Sequence, residues 1–186
     1  MSQFQNIAEH QLQALISTDQ GRRSLFEWLV KQHKQQIYFF IRRMVLNHDD
    51  ADDVTQQTFM KAWKGLEGFR GEAKFSTWLT RIAHNESINF LNAKKKVAGV
   101  PFDAVEEMLD KTLQADPLFS GDEIARKLQV AIATLPEKQK AVFIMRYYDE
   151  LSYQEISDIT GTSIGALKAS YHHAATKIED YLVSND

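Results

Sequence analysis

Catalysis needs side chains that converge, and few in this chain could do so. Six histidines (His10, His33, His48, His84, His172, His173) are scattered over 186 residues. The one adjacent pair would sit about 100° apart on a helix, unsuited to a shared metal. Asp49, Asp50, Asp52 and Asp53 cluster, but carboxylates crowded into one helical turn lack the return ligands that a magnesium site requires. The absence of cysteine removes disulfides and thiolate metal sites. No glycine-rich phosphate loop and no nucleophile–base motif occurs. The sequence therefore predicts a non-enzyme with no metal, no cofactor and no small-molecule substrate.

Three groups of residues suit binding instead. Between Phe69 and Lys96, the aromatics Phe69, Phe75, Trp78 and Phe90 interleave with Arg70, Lys74, Arg81 and three terminal lysines, six bases against the two acids Glu72 and Glu86. Aromatic faces with cations suit unstacked single-stranded bases. Gly65, Gly68 and Gly71 mark a loop able to pocket a flipped base, with Asn85 offering hydrogen bonds to its edge. Phe75 and Trp78 also fit a plain core role, which is the preferred reading for Trp78. A second group, Asp49, Asp52, Asp53, Gln56 and Gln57, forms an acidic, amide-rich helix face that would meet a basic protein or simply face water. The third lies near the C-terminus. Ser152-Tyr-Gln-Glu155 is a capping box, Thr160-Gly161-Thr162 a tight turn, and Ser163 a cap for a last helix reaching about Leu182. Two short helices around such a turn are the helix-turn-helix pattern, although a bundle corner looks the same. The second helix would present Gly165, Ala166, Lys168, Ala169, Ser170, His172 and His173 to a major groove.

The elements that must carry these groups read almost wholly as helix, because apolar residues recur at threes and fours. From Ser24 to Leu46, a stripe of Leu25, Trp28, Leu29, Gln32, Gln36, Phe39, Phe40 and Met44 faces inward, with Arg42 and Arg43 on the polar remainder. Asp49 or Asp50 would cap a helix to about Lys64 that turns Val54, Phe59 and Trp63 inward. A third helix spans about Ser76 to Lys95, with Trp78, Leu79, Ile82, Ile88 and Leu91 on its core side. Residues 97–121 contain Gly99, Pro101, Pro117 and Gly121 and read as an inter-domain linker, with a short helix over 104–113. Beyond it, Ile124, Leu128, Ile132 and Leu135 begin a second helical module, and Pro136 opens a helix carrying Val142, Met145 and Tyr148. Ile156, Ile159, Ile164 and Leu167 would fix the helix-turn-helix angle.

Charge is uneven. Between Val97 and Glu123, seven acids oppose one base, a balance of −6, so the total of −3 leaves +3 elsewhere. The fold expected is all-α: two small helical domains, 1–96 and 122–186, joined by a flexible acidic linker. Neither a secretion signal nor an 18-residue apolar run is visible, and the chain reads as cytoplasmic.

The motifs Asp-Ala-Asp-Asp-Val-x-Gln-Gln-x-Phe-x-x-Ala-Trp, Phe-Arg-Gly-x-x-Lys-Phe-Ser-Thr-Trp-Leu-x-Arg-Ile-Ala-x-Asn, Leu-Pro-x-Lys-Gln-Lys-x-Val-Phe and Leu-Ser-Tyr-Gln-Glu-Ile occur in this order. Over about residues 22–96 and 122–182 the chain resembles the extracytoplasmic-function (ECF, group IV) sigma factors of bacterial RNA polymerase. The resemblance implies roles by position. Asp49, Asp52, Asp53, Gln56 and Gln57 would dock on the clamp coiled coil of the polymerase β′ subunit. Phe69, Arg70, Lys74, Phe75, Thr77, Arg81 and Asn85 would take the melted −10 element. Ser163, Gly165, Ala166, Lys168, Ala169, Ser170, His172 and His173 would read the −35 element, and their module would touch the β flap. The acidic linker would follow the RNA exit path. The resemblance also implies an anti-sigma factor as partner, through which alone a membrane would be involved. Gln57 stands where many members have glutamate, and the recognition helix is poor in arginine, which lowers affinity for free DNA. The alternative is a stand-alone helix-turn-helix regulator that dimerises on duplex operator DNA.

Overall fold

The computed structural model describes residues 9–98 and 123–185. The expected short helix over 104–113, and all of the linker except Val97 and Ala98, lie outside the described residues. All regular secondary structure among the described residues is helical: α1 (Glu9–Ile16), α2 (Asp19–Val45), α3 (His48–Gly65), a 3₁₀ turn (Leu66–Gly68), α4 (Phe75–Ala98), then α5 (Glu123–Thr134), α6 (Glu137–Tyr147), α7 (Tyr153–Thr160) and α8 (Ile164–Ser184).

Local chemistry sets these boundaries. Thr18 caps α2 by accepting from the Gly21 amide at 3.1 Å. A Cβ at Gly21 would collide with the Leu15 carbonyl, so glycine lets α1 turn tightly onto α2. α3 is capped by Asn47, whose side chain accepts from the Asp50 amide at 2.9 Å, not by Asp49 or Asp50 as the sequence suggested. Leu46, at φ 69°, reverses the chain one residue earlier than expected. The carboxylates then occupy the first turn, where the helix dipole favours them.

Burial follows the predicted faces in part. Leu25, Leu29, Phe40, Met44, Val54 and Leu79 are in the core, and Trp28, Phe39, Phe59, Trp78, Ile82, Ile88 and Leu91 are half-buried around it. Six positions differ. Gln32 and Gln36 face water, while Ile37 and Ile41 take the inward places. Arg42 is buried at 1% exposure. Burial pulls its guanidinium below the usual range, and the Tyr38 hydroxyl, hydrogen-bonded to it, opposes that shift. Trp63 is 38% exposed, its ring centre 5.2 Å from that of Phe26 in an edge-to-face contact. Ile124 and Ile164 are also exposed, because each stands in a first helical turn beyond the packed surface.

α1 to α4 form one unit and α5 to α8 another. They pack together, α6 against α2 and α7 against α4. One apolar cluster runs through both, from Ile41, Met44 and Ala83 to Ile144, Ile156 and Leu167. Nothing in the residue pattern announced that contact.

Candidate nucleic-acid and polymerase interface

α3 turns Ala51, Val54, Thr55, Thr58 and Ala62 inward, at helical spacing. Asp49, Asp52, Asp53, Gln56 and Gln57 therefore stand together on the exposed side. Asp50 is tied down instead, accepting from Lys94 Nζ of α4 at 2.5 Å. His48 approaches Asp52 at 3.6 Å and shares a 2.6 Å hydrogen bond with the Tyr38 hydroxyl. Met60, one turn beyond Gln56 and 47% exposed, extends this acidic and amide face with an apolar end.

Where the end of α3 meets the middle of α4, an open cleft of about 560 Å³ is lined by Lys61, Gly65, Trp78, Ile82, His84, Asn85, Glu86, Ile88 and Asn89. A Cβ at Gly65 would press on the Trp78 ring at 3.3 Å, so the glycine helps keep the cleft open. Lys61 Nζ donates to Glu86 Oε1 at 2.6 Å across it. His84 Nδ1 lies 3.3 Å from Asn85 Oδ1; burial lowers the His84 pKa, and this contact opposes the shift. A half-buried aromatic wall, two amides and a cation fit an extruded base. Of the lining residues, sequence reasoning singled out Asn85 for base contact, made Gly65 part of the pocketing loop and read Trp78 as core. Lys61 and Asn89 were missed, although the Asn85–Asn89 spacing of one helical turn was a usable signal.

The loop before α4 is held from inside. Phe69 is buried beneath Leu12 and Ile16 of α1 and stacks on Phe75 with ring centroids 4.5 Å apart, while Trp78 lies at 5.0 Å. The Gln13 amide donates to the Phe69 carbonyl at 3.2 Å. Phe69 and Phe75 thus act as struts of the loop in this conformation, and Arg70 is exposed. Lys74, Thr77 and Arg81 face α7 across a second cleft of about 460 Å³, apart from Asn85. Lys74 pairs with Glu155 at 3.2 Å, and Arg81 donates to the Asp158 carbonyl.

The C-terminal helix pair follows the sequence expectation closely. Ser152 Oγ accepts from the Glu155 amide at 3.2 Å, and Glu155 Oε2 accepts from the Ser152 amide at 3.0 Å, completing the capping box. These Ser152 bonds, with Lys74, hold the Glu155 carboxyl below its usual range. Gly161 takes the left-handed conformation (φ 70°) that ends α7. Ser163 caps α8 through the Ala166 amide. Leu167, Ala174 and Ile178 face inward. Gly165, Ala166, Lys168, Ala169, His172 and His173 are exposed along one helix with Ser163 at its start, and Ser170 is half-buried. No group of three or more potential metal ligands occurs among the described residues, and no described helix is long and apolar enough to cross a membrane.

The chain matches the family models "Sigma-70 region 2" over residues 29–97 and "Sigma-70, region 4" over 125–178. It is 32% identical over 171 residues to the ECF RNA polymerase sigma factor SigW of Bacillus subtilis, covering 87% of this chain and 91% of that one. With the ECF RNA polymerase sigma-E factor of Haemophilus influenzae it is 30% identical, covering 90% and 93%. Among solved structures, the fold is similar to the sigma factor RpoE of Bartonella quintana, in complex with the anti-sigma factor NepR, at TM-score 0.69 and 21% identity over 87% of this chain and 98% of that one. CnrH, in complex with the cytosolic domain of CnrY, gives 0.68 at 21% identity, covering 94% and 97%. Two helical regions in this order, the second containing a capped helix-turn-helix, together with this level of identity across nearly the whole chain, make it a member of the ECF RNA polymerase sigma factors, which act in transcription initiation.

Proposed function

We propose that this sigma factor divides promoter recognition between its two modules. Residues 1–96 bind core polymerase and open the −10 element, residues 122–186 read the −35 element, and 97–121 connect them. The observation that carries this reading is the cleft between α3 and α4, where Asn85 and Trp78 line a space of about 560 Å³, large enough for a base.

In detail, Asp49, Asp52, Asp53, Gln56 and Gln57 meet the β′ clamp coiled coil. Their shared exposure on α3 supports this role, as does the fit of acidic and amide groups to a basic surface. Phe69, Arg70, Lys74, Phe75, Thr77, Arg81 and Asn85 serve the −10 strand by different means. Asn85 offers hydrogen bonds to a captured base, Arg70, Lys74 and Arg81 neutralise phosphates, Thr77 offers a hydroxyl, and Phe69 and Phe75 brace the loop. Ser163, Gly165, Ala166, Lys168, Ala169, Ser170, His172 and His173 enter the −35 major groove, where small residues allow close approach, and the same module contacts the β flap. The chain works in the cytoplasm without cofactor or catalysis, and an anti-sigma factor holds it inactive. The sigma factor RpoE of similar fold, crystallised with the anti-sigma factor NepR, supports that regulation.

Permanganate footprinting of a promoter opened by core polymerase and this chain tests the cleft. Asn85→Ala should leave polymerase binding intact and reduce −10 opening at least tenfold. Unchanged opening would remove the cleft from the account.

A further inference from the structure

The loop that leads into α4 is fixed by an element far from it in sequence. Residues 69–74 lie between the 3₁₀ turn and α4 and have no regular secondary structure, so their conformation depends on what covers them. α1 supplies that cover. Leu12 and Ile16 pack with the buried Phe69. The Gln13 side-chain amide donates to the Phe69 carbonyl at 3.2 Å, which holds the backbone as well as the ring. Two residues on, Gly71 has φ 78°, and a Cβ there would come within 3.2 Å of Leu12 Cδ2. α1 therefore sits directly against the turn. It is itself seated on α2, where Thr18 accepts from the Gly21 amide and Gly21 lies against the Leu15 carbonyl. Arg22 of α2 also pairs with Glu67 at 3.3 Å, just before the loop.

The consequence reaches the cleft between α3 and α4. The Phe69 ring centre lies 5.0 Å from that of Trp78, and Trp78 is the aromatic wall of the cleft. A line of support thus runs from α1 through Phe69 to the surface against which an extruded base would stack. A base is captured tightly only where that wall is already in place, because ordering a loose loop at the moment of binding costs affinity. We propose that α1 is a positioning element for −10 capture, with Gln13 and Leu12 as its positioning residues, which hold Phe69 so that Trp78 meets the extruded base. α1 lies outside residues 29–97, which match the "Sigma-70 region 2" model. The inference rests on the −10 reading of the cleft given above.

Gln13 stands at the surface, so Gln13→Met keeps the side-chain length, removes the donor and leaves the core intact. The test uses the full chain with core polymerase and permanganate footprinting of a promoter that the chain opens. The same promoter is also prepared with one abasic residue at each position of the non-template −10 strand in turn. The captured position is the one where the abasic residue makes Asn85→Ala and the parent open the DNA equally. On the intact promoter, Gln13→Met should bind polymerase like the parent and open about fivefold less DNA, the scale of one lost hydrogen bond. On the promoter abasic at the captured position, it should match the parent. Equal losses on both DNAs mean that Gln13 merely supports the fold, and would overturn the proposal. Full opening of the intact promoter by Gln13→Met, where Asn85→Ala fails, would overturn it too and leave the cleft reading standing. If Asn85→Ala opens every DNA as the parent does, the cleft reading fails and the positioning role falls with it.

Discussion

Asp149 gives a prediction whose sign and size both follow from its surroundings. It ends the α6 turn, half-buried, where burial raises its carboxyl from 3.8 to about 6 and the Arg43 charge across the module boundary pulls the other way. The same burial raises the neighbouring Tyr148 hydroxyl, which Arg43 also opposes. Because the folded carboxyl holds its proton more tightly than the unfolded one, stability from this site is complete below pH 4. It falls as pH rises to about 6.5 and stays low above. A shift of about two units corresponds to at most about 3 kcal/mol, and partial solvent access reduces that to about 1–2 kcal/mol. Asp149→Asn removes the ionisation while keeping the shape. In urea titrations read by circular dichroism, the variant should match the parent near pH 3.5 and exceed it by about 1–2 kcal/mol at pH 8. His33 and His84, whose pKa values burial lowers, add the opposite slope below pH 6.5, but they act equally in both proteins and cancel in the difference. A variant no more stable than the parent at pH 8 would refute the reasoning.

Other perturbations give sharp expectations. Ser152→Ala removes an acceptor and one side of the capping box and should cost about 1 kcal/mol in thermal unfolding. Gly161→Ala forces an L side chain into φ 70° and should cost a further 1–2 kcal/mol by the same measurement. Lys168→Ala should reduce the salt slope of −35 duplex binding by holoenzyme by about one phosphate contact, read by fluorescence anisotropy across a potassium chloride series.

The sequence made some features legible and hid others for physical reasons. Capping and turn chemistry are local, so Ser152, Glu155, Gly161 and Ser163 could be placed without tertiary information. The outward face of α3 was equally readable, because a helix with one partner side shows a clean period. α2 was harder. It packs against α1, α3, α4 and α6, so adjacent pairs such as Phe40–Ile41 and Met44–Val45 are both buried. A helix enclosed on several sides blurs the single stripe, which is how Gln32 and Gln36 were drawn into it and Arg42 was left outside. Trp63 was read inward, yet its ring is only partly covered, in an edge-to-face contact with Phe26. The packing of α7 on α4 joins residues about 80 apart in sequence, and an amphipathic pattern does not say which surface will cover it.

The most direct test of the central claim is run-off transcription from a genomic promoter library with core polymerase and this chain, sequencing the transcript starts. Initiation should occur only when both are present, at promoters sharing two spaced elements, and Asp53→Ala with Gln56→Ala should abolish it. Specific initiation that survives loss of those α3 residues, or tight sequence-specific binding of duplex promoter by the chain alone, would contradict the account.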